Sequence, residues 1–125
     1  MDHLLRVTLD KTTTPWSVDI DQKDNANRVD RNPQPQTIVW ELTGDAATGQ
    51  LQLLSWVDPT PPAGVFGPAQ VAPNGNRMSM TDLNDGPGSS GDWIYRLSVV
   101  LDGQEYSTLQ TLPVGTNTNP SIKNN

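Results

Sequence analysis

Apolar and polar residues alternate along several short segments of the chain, and this two-residue period is typical of strands that bury one face. Near the N-terminus, Leu5, Val7 and Leu9 fall on one face and polar residues lie between them. The apolar faces predicted in the same way further along are Trp16, Val18 and Ile20; Ile38, Trp40 and Leu42; and Trp93, Tyr95, Leu97, Val99 and Leu101. No long segment carries the roughly 3.6-residue apolar period of a helix, so the pattern predicts an all-β chain.

Turn signals separate these strands. Asn74-Gly75 and Asp102-Gly103 favour tight hairpins, because both residues of such turns tolerate positive φ. The chain also contains 11 prolines and 10 glycines. Turn signals this frequent predict about seven or eight short strands in a single antiparallel β-sandwich. A large aromatic residue within the third strand, Trp40, and a candidate tyrosine corner at Tyr95 favour an immunoglobulin-like version of this fold.

The domain organisation follows from the length and from the last turn signal. A chain of 125 residues fits one domain with a single core. We expect residues 1–112 to form the sandwich, because Pro113 ends the last alternating strand. Residues 113–125 form an asparagine-rich C-terminal tail, in which Ile122 provides an apolar anchor. The prediction is a tail that docks as an edge strand.

The charge balance argues against one class of partner. The formal net charge is −6, and the basic residues are scattered along the chain instead of forming the basic stripe of a nucleic-acid binder. No apolar run reaches the length of a membrane span, and the first residues, MDHLLRVTLDK, lack the basic and apolar regions of a secretory signal. We therefore expect no nucleic-acid or membrane partner, and we leave the compartment open with a cytoplasmic location favoured.

Metal and cofactor chemistry has little support in the sequence. There is no cysteine, and the single histidine, His3, lies beside the N-terminus, where we expect it to be exposed. Two stretches contain the oxygen donors that calcium prefers, namely Asp19, Asp21 and Asp24, and Asp82, Asn84 and Asp85. Lys23 competes with a cation at the first, and the second is too short for a calcium loop and lacks the required glutamate. We expect neither a metal nor a cofactor.

The four tryptophans, Trp16, Trp40, Trp56 and Trp93, allow two interpretations. If they were exposed on a strand, they would form a platform that stacks on sugars. In phase with an apolar face they add to the core instead, and most of them are in phase. Trp56 is ambiguous, because apolar residues lie on both faces around it.

Glu41 is a candidate general acid or base. It lies on the opposite face of its strand from Trp40, beside Val39. If that face were partly covered, burial would tune the carboxyl group for proton transfer. On an open face Glu41 is an ordinary exposed strand residue.

Two bonds before proline have unusual chemistry, Asp58-Pro59 and Asn119-Pro120. The carboxyl group of Asp58 can attack its own carbonyl carbon. Because proline has no N–H, Asn119 cannot cyclise through the next backbone nitrogen. The remaining route, attack of its side-chain nitrogen on its own carbonyl, cuts the chain, but it is slow unless the protein positions and activates the amide. Otherwise both bonds are turns or strand ends.

The chain resembles the small bacterial β-sandwich proteins of the DP-EP family in its length, its WIYRLSVVLDGQEYS hairpin and its terminal NPSIKNN stretch. Members of that family are self-cleaving endopeptidases that cut before the proline of a C-terminal Asp-Pro, after which the aspartate can join a lysine. The resemblance implies Asn119 and Pro120 as the scissile position. The chain departs from the family in having asparagine there, and it has no lysine between Lys23 and Lys123. The resemblance thus implies a member whose cleavage is lost or slowed.

Three functional hypotheses remain open. The first is a structural or assembly module whose tail docks by strand addition on its own sheet or on that of a second copy. The second is self-processing at Asn119-Pro120, assisted by a carboxylate such as Glu41, which would make the chain an autocatalytic enzyme. The third is a carbohydrate- or ligand-binding module that uses an exposed tryptophan.

Overall fold

Two five-stranded β-sheets pack against each other and form a β-sandwich. The computed structural model describes residues 2–12, 14, 16–57, 60–108 and 120–125. The strands of this part of the chain are β1 (Asp2–Asp10), β2 (Ser17–Ile20), β3 (Arg28–Val29), β4 (Gln36–Leu42), β5 (Gln50–Trp56), β6 (Gln70–Val71), β7 (Arg77–Asp82), β8 (Gly91–Leu101), β9 (Gln104–Ser107) and β10 (Ser121–Asn124). Helical structure in these residues is confined to short 3₁₀ turns, and none of them is long and apolar enough to cross a membrane.

Both sheets are mixed. The first has the order β2-β1-β4-β7-β6, and in the second β10 lies between β3 and β8, with β5 and β9 also paired to β8. β1 lies parallel to β4, and β10 lies parallel to β3. Between β1 and β4 the chain crosses to the second sheet, where it forms β3, and then returns. The predicted all-β sandwich is therefore confirmed, but its pairing is not purely antiparallel.

The core consists largely of the residues that alternation places on the inner faces. Leu5, Val7 and Ile38 are fully buried, as are Trp40 and Tyr95. The Trp40 and Tyr95 rings pack edge to face with centroids 5.6 Å apart, and Nε1–H of Trp40 donates to the Tyr95 hydroxyl at 2.9 Å. A tyrosine corner instead has its hydroxyl bonded to the main chain. The contact of Tyr95 therefore joins the two sheets through their side chains.

Strands pair at both predicted hairpins, but only Asp102-Gly103 forms the predicted tight two-residue turn. Asp102 and Gly103 have φ angles of 52° and 78°, and the residues that flank them, Leu101 and Gln104, pair across the turn. This is the two-residue turn that an Asp-Gly sequence favours. Gly75 has a φ of 78° in the connection between β6 and β7, which is longer than two residues.

Two segments differ from the prediction based on alternation. β3, with Arg28 and Val29, lies in a polar stretch predicted as a loop, because two residues are too few to show a period. Trp16, expected in the core, is 39% exposed, and the residue after it, Ser17, is buried instead. The Trp16 ring stacks on Tyr106 at the surface, with centroids 5.8 Å apart.

β9 and β10 lie end to end along one edge of β8. The amide of Thr108 donates to the carbonyl oxygen of Leu97 at 3.0 Å. The amide of Tyr95 donates to the carbonyl oxygen of Pro120 at 3.1 Å. Leu97 and Tyr95 are two positions apart on β8, about 7 Å in extended backbone. Thr108 and Pro120 therefore occupy the same edge, with room for a single residue between them, opposite Arg96.

Candidate functional site at the C-terminal strand

β10 is an inner strand with a neighbour on each side. It pairs antiparallel with β8, where Ile122 lies opposite Trp93, and parallel with β3, where Lys123 lies opposite Arg28. The amide of Lys123 also donates to the carbonyl oxygen of Asn27 at 2.9 Å. The sequence predicted an edge strand here. The structure differs because β3, which alternation did not reveal, covers the outer side of β10.

The side chains of β10 alternate between the interior and solvent. Ile122 is fully buried, Asn124 is 4% exposed, and Lys123 between them is exposed. Burial of a side chain such as Ile122 stabilises the folded state by roughly 1.5–3 kcal/mol. Asn124 is the unexpected feature, because a buried amide needs partners for two donor hydrogens and for its oxygen.

The amide group of Asn124 finds its two acceptors on the opposite sheet and in the turn before β8. Its Nδ2 donates to Oδ1 of Asp82, the last residue of β7, at 3.0 Å, and to the main-chain oxygen of Ser89 at 3.0 Å. Both amide hydrogens are thereby used. Oδ1 of Asn124 and Oδ2 of Asp82 are buried and have no hydrogen-bond partner.

Burial controls the protonation of Asp82. Its side chain is fully buried, and desolvation raises the pKa of Asp82 to about 6, against smaller opposing effects of the Asn124 hydrogen bond and the charge of His3. A protonated carboxyl group carries an O–H donor. A proton on Oδ2 of Asp82 would supply the donor that the acid–amide pair lacks.

A second buried amide holds the end of β10. Nδ2 of Asn84 donates to the main-chain oxygens of Val29 at 3.0 Å and of Asn125 at 2.9 Å. Its Oδ1 accepts a hydrogen bond from Oγ of Ser89 at 2.7 Å. The segment after β7 therefore ties β3 to β10. It also orients Ser89, whose main-chain oxygen accepts the hydrogen bond from Asn124.

The start of β10 is held by two more amide side chains. Nδ2 of Asn27 donates to the main-chain oxygen of Ser121 at 2.7 Å, and the amide of Ser121 donates to Oε1 of Gln22 at 2.9 Å. Asn27 is itself buried and also donates to Oε1 of Gln22. Polar side chains thus hold β10 at both ends, with Ile122 between them.

Hydrogen bonds link the surroundings of Asp82 to His3 near the N-terminus. Nε2–H of His3 donates to Oε1 of Gln36, which lies opposite Asp82 in the sheet, and Nε2 of Gln36 donates to the main-chain oxygen of Asp30, each at 2.8 Å. Chiefly because Asn125 donates to its carboxylate, the pKa of Asp30 is lowered. His3, expected to be exposed, is only partly so.

The predicted cleavage positions are only partly within the described residues. Asn119 lies outside them, as does Asp58-Pro59. Pro120 is buried, and its carbonyl oxygen accepts from the amide of Tyr95. The residue on the C-terminal side of the Asn119-Pro120 bond is therefore held against β8.

Glu41, the predicted assisting carboxylate, belongs to the other sheet. It alternates with Trp40, whose side chain fills the core, so it points to the outer face of β4. There its Oε2 accepts a hydrogen bond of 2.6 Å from Nε of Arg77 in an ion pair. The carboxylate that contacts β10 from inside the sandwich is Asp82.

Sequence reasoning missed the role of Asp82, although the sequence contains a signal for it. Met78, Met80 and Asp82 alternate on the buried face of β7, so the acid occupies a position in phase with apolar residues. Asp82 and Asn84 belong to a stretch with the oxygen donors that calcium prefers, but both bind the C-terminal strand instead. Within the described residues, no group of three or more histidine, cysteine, aspartate or glutamate side chains could hold a metal ion.

The tryptophans divide between the core and the surface. Trp40 is fully buried, Trp56 and Trp93 are partly buried, and Trp16 is exposed. Nζ of Lys11 lies 4.8 Å from the centroid of the Trp16 ring. A sugar platform would have to use Trp16.

No protein-family model matches the chain, and no curated protein matches it. The likeness to the DP-EP family therefore stays a prediction from the residue pattern.

Proposed function

We propose that this protein is a structural module that assembles through its C-terminal strand. The gap between β3 and β8 can be filled by β10 of the same chain. By strand addition it can also be filled by β10 of a second copy. The observation that supports the proposal is the seating of β10: main-chain partners on both sides, with Ile122 and Asn124 in pockets built by other elements.

The contacts of β10 resemble those that a peptide makes when it binds by strand addition. In strand addition, main-chain hydrogen bonds provide affinity and pockets for alternate side chains provide specificity. The partners of β10 come from the body of the chain, from Gln22 to Tyr95. A second copy presents the same partners, so an exchanged strand makes the same contacts.

The connection before β10 is long compared with the distance that it spans. Thr108 and Pro120 are about 7 Å apart along β8. The residues between them, 109–119, would reach about 35 Å if fully extended. The covalent link therefore does not oblige β10 to dock on its own chain.

The proposal also includes a kinship with the DP-EP family: the chain would be a relative whose self-cleavage is lost or slowed. A cut at Asn119-Pro120 would leave β10 attached to the body by non-covalent contacts alone. Intact-mass spectrometry after long incubation tests this part: a single full-length mass excludes self-processing and leaves assembly unaffected.

Light scattering coupled to size-exclusion chromatography tests the assembly. We expect a dimeric fraction that grows with protein concentration. The matched variant replaces residues 109–119 with one residue, which fuses β9 and β10 into a single strand along β8. This variant should fold and stay monomeric, whereas a Gly/Ser segment of the original length should still dimerise. A full-length protein that is monomeric at every concentration would reject the proposal.

A further inference from the structure

The pocket at the end of β10 distinguishes an amide from other side chains. Its two acceptors, Oδ1 of Asp82 and the main-chain oxygen of Ser89, both face Nδ2 of Asn124 at 3.0 Å. Only a side chain with two N–H donors on one atom satisfies both. An aspartate would set oxygen atoms against oxygen atoms, and a leucine would leave both acceptors buried without a partner.

The opposite edge of this pair lacks one hydrogen. Oδ2 of Asp82 and Oδ1 of Asn124 are both acceptors when the acid is ionised, and both are buried without a partner. A neutral carboxylic acid and a primary amide complement each other, because each offers one donor and one acceptor along its edge. A single proton on Oδ2 of Asp82, placed toward Oδ1 of Asn124, would give both atoms a partner.

We propose that Asp82, with Ser89, is a specificity site for a primary-amide side chain, and that Asp82 acts there as a neutral acid. A strand entering between β3 and β8 is selected for asparagine at the position of Asn124, two residues after the buried isoleucine. For a strand from a second copy the inference rests on the proposed function. For the chain's own strand it stands independently.

The surroundings of Asp82 favour the neutral form. Gln36 on β4 and Asn124 on β10 face it and do not titrate, and Lys123 points to solvent. His3 on β1 is the charged group that acts on it, and its charge favours the ionised form. Desolvation outweighs that effect, so the protonated pocket is the state that holds the strand, and docking weakens as the pH rises through about 6.

Hydrogen exchange of the full-length chain tests the inference without requiring dimerisation. The reporters are the amides of Tyr95 and Lys123, which donate to Pro120 and Asn27 across the two sides of β10. Protection factors are measured at pH 5 and pH 7.5, with the amide of Val99 in the core as the control. The variants are Asp82→Asn, Asp82→Leu and Asn124→Asp.

Asp82→Asn decides whether the acid is neutral, because asparagine resembles a protonated aspartate and cannot ionise. We expect the reporter amides of this variant to keep full protection at pH 7.5 and to lose the pH dependence. Their protection factors should exceed those of Asp82→Leu by about tenfold or more. Asn124→Asp should lose about tenfold or more at pH 7.5. Asp82→Asn as weakly protected as Asp82→Leu, or Asn124→Asp as well protected as the wild type, would overturn the inference.

The comparison stays decisive if Asp82→Leu does not fold, since Asp82→Asn and Asn124→Asp are then each compared with the wild type. Failure of dimerisation with the expected exchange pattern would reject the proposed function and leave the specificity site standing. Dimerisation without the expected exchange pattern would reject the specificity site and leave the proposed function standing.

Discussion

Nδ2 of Asn124 donates a hydrogen bond of 3.0 Å to Oδ1 of Asp82, and this bond joins the C-terminal strand to the opposite sheet of the sandwich. It connects residues far apart in the sequence, and both are buried. Together with Ile122 it makes the end of the chain a part of the core. The consequences for stability can be measured residue by residue.

Stability should decrease as the pH rises between about 4 and 6. Burial raises the pKa of Asp82 from 3.8 to about 6 in the folded protein, so the folded state binds this proton more tightly than the unfolded state. The contribution is present in full below about pH 4, is lost as the pH passes 6, and amounts to about 3 kcal/mol at most. Urea unfolding at pH 4.5 and 7.5 measures about two thirds of it, because the contribution is not yet complete at pH 4.5.

Asp82→Asn is the control for that pH profile, since it removes the titration while keeping the shape of the side chain. Asp10 and Asp30, whose pKa values are lowered by their hydrogen bonds, act in the opposite direction in both proteins and cancel in the comparison. Parallel pH profiles for the two proteins would show that Asp82 does not titrate in this range.

Ile122→Ala should destabilise the protein by roughly 2–5 kcal/mol, because the removed atoms are fully buried between the sheets. Lys123→Ala is the matched control in the same strand. Its side chain is exposed, so we expect a change within about 0.5 kcal/mol. Equal effects of the two substitutions in urea unfolding would mean that β10 is not anchored as described.

Tyr95→Phe should cost roughly 1–3 kcal/mol, because it leaves the buried Nε1–H of Trp40 without its acceptor. Tyr106→Phe retains the ring that stacks on Trp16 and should change stability by less than about 0.5 kcal/mol. Thermal unfolding followed by tryptophan fluorescence compares the two. A stable Tyr95→Phe variant would contradict the assigned role of the hydroxyl.

Glu41→Gln should have little effect. The ion pair of Glu41 with Arg77 lies on an outer face, and such pairs contribute less than about 1 kcal/mol. After long incubation we also expect no more and no less cleaved chain than in the wild type, because Glu41 points away from the second sheet. Any change in the amount of chain cut at Asn119-Pro120 would restore Glu41 as a catalytic candidate.

The features that could be predicted from the sequence are the local ones. Strands such as β1, β4 and β8 show their inner faces through alternation, and Asp102-Gly103 specifies its own turn. These patterns depend on neighbouring residues along the chain. They were sufficient to predict the all-β sandwich.

The features that could not be predicted depend on contacts between distant segments. β3 has two residues and becomes a strand only because β10 lies beside it. The inner position of β10 follows from that pairing. Asp82 carries a local hint, its phase with Met78 and Met80, but its partner Asn124 lies at the other end of the sequence.

Disulfide trapping between single-cysteine copies tests the central claim most directly. The chain has no cysteine, and Ser121 lies opposite Ile94 in the pairing of β10 with β8. Directly opposite residues of antiparallel strands have Cα atoms about 4.5–5.5 Å apart, which a disulfide can bridge. A chain with Ser121→Cys is mixed with a chain carrying Ile94→Cys, and in parallel with one carrying Ser55→Cys on β5.

Strand exchange predicts a cross-linked heterodimer from Ser121→Cys with Ile94→Cys well above the level found with Ser55→Cys. The double variant with both cysteines in one chain should close internally and confirm the register. If the double variant closes but the mixed single variants form no more heterodimer than the Ser55→Cys control, β10 docks only on its own chain and the assembly proposal is contradicted.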